Sequence, residues 1–144
     1  MKTLRSIFFL SLCLLLSVAG YAGDKASFLK KQFTARDGYQ LNYRVLYPRD
    51  YNPAQKYPVI LFLHGAGERG SDNEAQLIHG GDMFASFENQ TKYPAIIIAP
   101  QCPAEKTWSE YKGLNAGKEG KRFYPLNAPA TQSMAAVKDY WIVI

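Results

Sequence analysis

Two short apolar runs, Val59–Leu63 and Ala95–Ala99, constrain this chain more than anything else in it. The first is too short for a helix and is bounded by Pro58 and Gly65, and the second repeats the pattern. Apolar at every position, both read as strands buried on both faces of a sheet. Between them lie a glycine-rich loop and segments with helical character, Glu74–Ile78 and Asp82–Phe87. Strand, helix, strand with two such strands implies a right-handed parallel crossover.

The residues ahead of this unit predict an antiparallel hairpin. Phe28–Thr34 reads as a short strand, and Arg36-Asp37-Gly38 supplies turn chemistry. In the next run Leu41, Tyr43, Val45 and Tyr47 alternate with Asn42, Arg44 and Leu46, which predicts one packed and one largely wet face, with Pro48 ending the strand. The fold class is therefore α/β, with a hairpin leading parallel strands. Beyond Pro100 an irregular stretch containing Trp108 and Tyr111 runs to Leu126 and reads as a surface excursion. Pro129 then opens a helix in which Ala130, Met134, Val137 and Trp141 share a face, with Asn127 as its cap. Neither an internal repeat nor a domain linker interrupts residues 23–144.

The first residues follow the order of an export signal: Lys2 and Arg5, an apolar run from Ile7 to Ala19, then Gly20-Tyr21-Ala22. Cleavage is expected after Ala22, giving a leader over 1–22 and a secreted or periplasmic product. The apolar run falls short of the roughly 20 residues that span a bilayer, so no stable membrane anchor is expected after cleavage. Cys13 would leave with the leader, so no internal disulfide framework is expected around the remaining Cys102. The formal charge of +5 includes Lys2 and Arg5, and the other cations are scattered among acids. The nearest basic run, Lys118–Arg122, lies among glycines, so nucleic acid is not an expected partner.

Chemistry concentrates where the first buried strand ends. His64-Gly65-Ala66-Gly67 turns the backbone with small side chains, which lets main-chain N–H groups face a reacting atom, as an oxyanion hole requires. With its continuation, LFLHGAGERGSDNEAQLIHGG, and the later YPAIIIAPQCP, the loop resembles the secreted serine esterase and predicted-peptidase branch of the α/β-hydrolases. Relatives of that branch include phospholipase/carboxylesterase, dienelactone-hydrolase and polyhydroxybutyrate-depolymerase-like enzymes. The resemblance runs from about Leu41 to the helix near Val137. It implies the N-terminal, incomplete part of an α/β-hydrolase fold, in full-length relatives a small ester or peptide substrate, and no cofactor.

The resemblance also implies that the Ala66 N–H is an oxyanion donor, and that Glu68 and Arg69 stabilise the loop or border a substrate groove. Equally open is pairing of Glu68 and Arg69 with each other or with Asp72 at the surface. In this fold the catalytic histidine comes after nucleophile and acid, so His64 reads as structural and His79 as a local packing or hydrogen-bonding residue. Two histidines without a cysteine or carboxylate at ligand spacing leave no metal site to expect.

The serine census is negative. Ser71 lies in the loop itself, and Ser27, Ser86, Ser109 and Ser133 have no Gly-x-Ser-x-Gly setting. Cys102 falls in a Pro-Gln-Cys-Pro block and reads as a loop residue. With no nucleophile elbow, acid region or late histidine, this chain is expected to be inactive by itself and to leave a sheet edge and an apolar face uncovered. The alternative expectation is a non-catalytic exported binding module with a hydrolase-like half-fold, using Trp108 and Tyr111 to hold sugars or a partner chain.

Overall fold

The computed structural model describes residues 24–110 and 127–143. The expected leader, Tyr111 and the Lys118–Arg122 run lie outside them. Strands β1 (Leu29–Thr34) and β2 (Gln40–Leu46) form the expected antiparallel hairpin, with Leu29 opposite Val45 and Phe33 opposite Leu41. The turn is closed by the Ala35 N–H, which donates to the Tyr39 carbonyl at 2.8 Å. Gly38 occupies φ 83°, the left-handed region that a Cβ penalises.

Strands β3 (Val59–Leu61) and β4 (Ile96–Pro100) pair in parallel, and β4 also pairs antiparallel with β2. The sheet order is β1-β2-β4-β3, so the sheet is mixed. Two helices fill the crossover, α1 (Gly81–Ala85) and α2 (Phe87–Lys92), so helical structure continues past the expected Asp82–Phe87 segment. They divide at Ser86, whose backbone is extended and whose Oγ accepts from the Asn89 N–H at 3.3 Å. One residue thus stops the first helix and caps the second.

Strand alternation sends apolar groups to both sides of the sheet. Leu46, Ile97 and Ala99 meet Phe28 and Leu77 on the crossover side, with Phe62 and Phe84 packed against them. On the other side Leu41 and Ala35 meet Ala136 and Val137 of α3 (Gln132–Val143). Tyr140 closes that layer with its ring 4.8 Å from Tyr43 and 5.2 Å from Phe33.

Three expectations need correction. The second face of β2 is not wet: Arg44 is 5% exposed and Leu46 4%. Leu46 joins the crossover core, and Arg44 is buried because it finds backbone and carboxylate partners there, described below. β3 is not buried on both faces either, because it lies at the edge of the described sheet and Ile60 is 39% exposed. An apolar run reports what a strand can bury, not where it stands in the sheet. Finally, α3 begins at Gln132 and is capped by Thr131, whose Oγ1 accepts from the Met134 N–H at 3.2 Å. Ala130 and Trp141 are exposed, and the buried stripe runs instead through Ser133, Ala136 and Val137. The later start shifts which residues face the sheet.

Candidate functional site

The chain leaves β3 with Phe62, whose N–H still donates to the Ile98 carbonyl at 2.8 Å. It then turns at His64, 6% exposed, and enters a short 3₁₀ turn, Ala66–Glu68. The His64 Nε2 accepts from the Cys102 N–H at 2.9 Å. An accepting Nε2 puts the ring proton on Nδ1, which donates to the Gly65 carbonyl at 2.6 Å. The Trp108 ring packs edge-on at 5.3 Å, and its Nε1 donates to the His64 carbonyl at 3.1 Å. Both imidazole nitrogens are therefore engaged with backbone, and the ring holds the loop to the segment that follows β4.

Ala66 is the first residue of its turn, and the first N–H groups of a helical turn have no intrahelical acceptor. Gly65 ahead of it is extended, and Gly65, Ala66 and Gly67 are all exposed. The Ala66 N–H therefore has no acceptor within its own turn and lies in an exposed stretch of backbone.

The two charged neighbours behave differently from each other. Arg69 stabilises the loop: its Nε donates to the Ala66 carbonyl at 2.9 Å and its Nη1 to the Lys106 carbonyl at 3.1 Å. Glu68, with a side chain 13% exposed, folds back over Gly65, where a Cβ would lie 3.0 Å from its Oε2. Its Oε1 is 3.4 Å from the Nε2 of His79, a side chain 77% exposed, and the two form an ion pair when His79 is protonated. Pairing of Glu68 with Arg69, or of either with Asp72, is not what forms.

Behind the loop stands a polar bracket. Gln101, 1% exposed, donates from Nε2 to Asp72 Oδ1 at 2.7 Å and to the Glu68 carbonyl at 3.3 Å. Its Oε1 accepts from the Asn73 N–H at 2.7 Å, and its own N–H donates to the Asn42 carbonyl at 2.8 Å. Asn73 sits at φ 55°, a region asparagine enters more readily than most residues, and its Nδ2 donates to the carbonyls of Lys31 and Tyr43. Arg44 donates from Nε to the Asn73 carbonyl at 2.6 Å and from Nη1 to the Phe28 carbonyl, and pairs with Glu74. These contacts satisfy a guanidinium that would otherwise be costly to bury.

Asp72 Oδ1 also accepts from the N–H groups of Glu74 and Ala75, at 2.8 and 3.0 Å. Hydrogen bonds from Ala75, then Glu74, then Gln101 hold its carboxyl below the ordinary carboxylate range. Sequence reading missed Gln101, Asn73 and Arg44. The one available signal was a polar Gln101 directly after a buried strand, in a block otherwise noted for its cysteine.

None of the hydroxyls or thiols described makes a nucleophile of this loop. Cys102 is fully buried beside Ser133 Oγ at 3.6 Å, and burial pushes its thiol pKa up, away from thiolate. Ser133 is itself fully buried against Tyr39 Oη at 3.1 Å. Ser71 is exposed in the loop, no hydrogen bond joins its hydroxyl to a histidine, and both ring nitrogens of His64 are engaged elsewhere. Among the described residues no group of three or more histidine, cysteine, aspartate or glutamate side chains is placed to hold a metal ion, and no helix is long and apolar enough to cross a membrane.

No family model matches the chain, and no curated protein does. Among solved structures, the chain is similar to a thermostable esterase, 41% identical over 58% of this chain and 23% of that one, with a TM-score of 0.54. A second likeness, to the BES protein from Bacillus cereus, is 18% identical over 81% of this chain and 44% of that one, and its TM-score of 0.36 carries no argument. The chain thus spans under a quarter of the length of the esterase it resembles. Its described architecture is part of an α/β-hydrolase fold: a leading antiparallel hairpin, then parallel strands joined by a helical crossover.

Proposed function

We propose that this chain supplies the oxyanion side of an exported serine hydrolase acting on carboxylic esters or short peptides. The observation that supports the reading is a turn starting at Ala66 that follows a parallel strand and whose backbone is held by His64 and Arg69. When a serine attacks a carbonyl, charge develops on the carbonyl oxygen, and a fixed N–H stabilises it without reorganising. Glu68, folded against Gly65, would border the substrate. The leader ending at Ala22 would direct the product out of the cytoplasm.

Acyl transfer needs an activated nucleophile as well, and the sequence has no Gly-x-Ser-x-Gly. The chain by itself is therefore proposed to be inactive, with nucleophile, acid and base supplied by further sequence. A non-catalytic binding module is the second reading, with Trp108, whose indole N–H bonds the His64 carbonyl, as the aromatic it would use among the described residues.

Two measurements test this. The purified chain should hydrolyse p-nitrophenyl acetate no faster than its Ser71→Ala variant; a serine-dependent rate would refute inactivity. In a longer form carrying an elbow serine, Ala66→Pro should lower kcat by about 10²–10³-fold, the loss typical of one oxyanion donor. Proline suits the first position of a helical turn and follows an extended residue, so the change removes the N–H with little disturbance of the loop. An unchanged kcat would remove Ala66 from the mechanism.

A further inference from the structure

Away from the His64–Glu74 loop, the end of β2 and the start of α2 enclose a second concave feature. A cavity of about 430 Å³ is lined by Leu29, Leu46, Tyr47, Ala85 and Phe87 together with the polar Ser27, Arg49 and Gln90. A smaller one of about 240 Å³ shares Pro48, Arg49 and Gln90 with it, so Arg49 stands between the two. The apolar part of the wall is only partly covered by the described residues: Leu29 is 49% exposed, Tyr47, whose ring lies 4.6 Å from Tyr51, 38%, and Phe87 60%. Apolar surface gathered around a single cation marks a binding site more often than a solvated face does.

The Arg49 guanidinium carbon lies 4.7 Å from the centre of the Phe87 ring. Stacking on an aromatic face orients a guanidinium and leaves its N–H edge open to a planar anion. No carboxylate of the described residues is within salt-bridge distance of Arg49, although Arg44, Lys25 and Lys30 all have one. Asp50 lines only the smaller cavity, where its charge would repel an anion. The favourable place for a carboxylate is therefore the larger cavity's side of Arg49.

We propose that this groove binds an amphipathic carboxylate, an aryl or alkyl acid whose carboxylate meets Arg49 while its apolar part packs on Phe87, Leu29 and Tyr47. The site shares no residue with the loop around Ala66 and does not rest on the hydrolase reading. A bidentate pair with Arg49 gives selectivity for the anion, and the apolar wall gives affinity.

Titration of the purified chain with sodium cinnamate and with neutral cinnamamide, followed by chemical-shift changes at Phe87 and Tyr47, tests the site. Cinnamate should saturate these shifts, with cinnamamide at least about tenfold weaker, as expected for losing a charge-assisted pair. Arg49→Gln should weaken cinnamate about tenfold and leave cinnamamide unchanged, while Arg49→Lys should restore part of the affinity, having the charge without the planar fork. Because Arg49 is exposed, its variants should keep the unfolding midpoint, which checks the fold independently. Equal affinities for acid and amide, no effect of Arg49→Gln in a folded protein, or no saturation of the Phe87 shifts would each overturn the proposal.

Discussion

The two margins of β4 are built on opposite physics. At its C-terminal end Gln101 and Cys102 hold the His64–Glu74 loop with directional hydrogen bonds, most of them buried. Along its side runs β3, at the edge of the described sheet, where Ile60, Met83 and Tyr93 are 39%, 54% and 62% exposed around an apolar cavity of about 280 Å³. The first region is largely partnered within the described residues, although the buried Gln76 Oε1 beside it has no partner, and the second offers surface that they do not cover. Hydrogen bonds fix a geometry only where each donor finds its acceptor, whereas apolar burial is non-directional and is incomplete until something lies on top.

That contrast can be broken most directly at Gln101. Gln101→Ala should cost about 3 kcal/mol of unfolding free energy, because it leaves the Asn73 N–H buried without an acceptor and removes a donor from Asp72. Urea denaturation would measure it, and a loss below about 1 kcal/mol would show that the bracket is not what holds the loop. Gly80→Ala comes next. Gly80 has φ 118°, and a Cβ there would lie 3.2 Å from the Phe62 ring, so about 1–2 kcal/mol of strain is expected.

At the β3 edge the expected effect on stability is smaller and the effect on association larger. Ile60→Lys should change the unfolding free energy by about 0.5 kcal/mol or less while reducing self-association, read by sedimentation against concentration. A cost approaching that of Gln101→Ala would mean that Ile60 is covered in solution. Smallest of all is the pH response of Asp72, an exposed carboxyl screened by solvent. Its pKa is lower folded than unfolded, so its contribution is present above the unfolded value, near 4, and is lost as pH falls through the folded one. Urea midpoints should decline on acidification below about pH 4, and Asp72→Asn should shallow that slope. Glu74, lowered by Lys30 first and then by Arg44, contributes in the same direction.

The candidate site was half legible. The His64-Gly65-Ala66-Gly67 turn follows from local rules, since an apolar strand running into glycines must turn there. Its brackets do not, because Gln101 and Asn73 meet across 28 residues of chain and Arg44 reaches Asn73 across 29. Nothing in the composition of β2 marks Arg44 as buried, and alternation with Asn42 argued for the reverse. Trp108 shows the same limit: its place in an irregular stretch gave no sign that its N–H would bond the His64 carbonyl across 44 residues of chain.

What the amino-acid order determined by itself was the set of elements whose signals are local: the hairpin with Gly38 at its turn, the two apolar strands, the glycine loop and the absence of an elbow serine. Tertiary structure alone decided that β3 is an edge of the described sheet, that α3 starts at Gln132 under a Thr131 cap, and that Arg44 is an interior residue. The reason is physical. Turn chemistry and hydrophobic period are properties of neighbours in sequence, whereas burial and hydrogen-bond satisfaction depend on which distant groups the sheet order brings within reach.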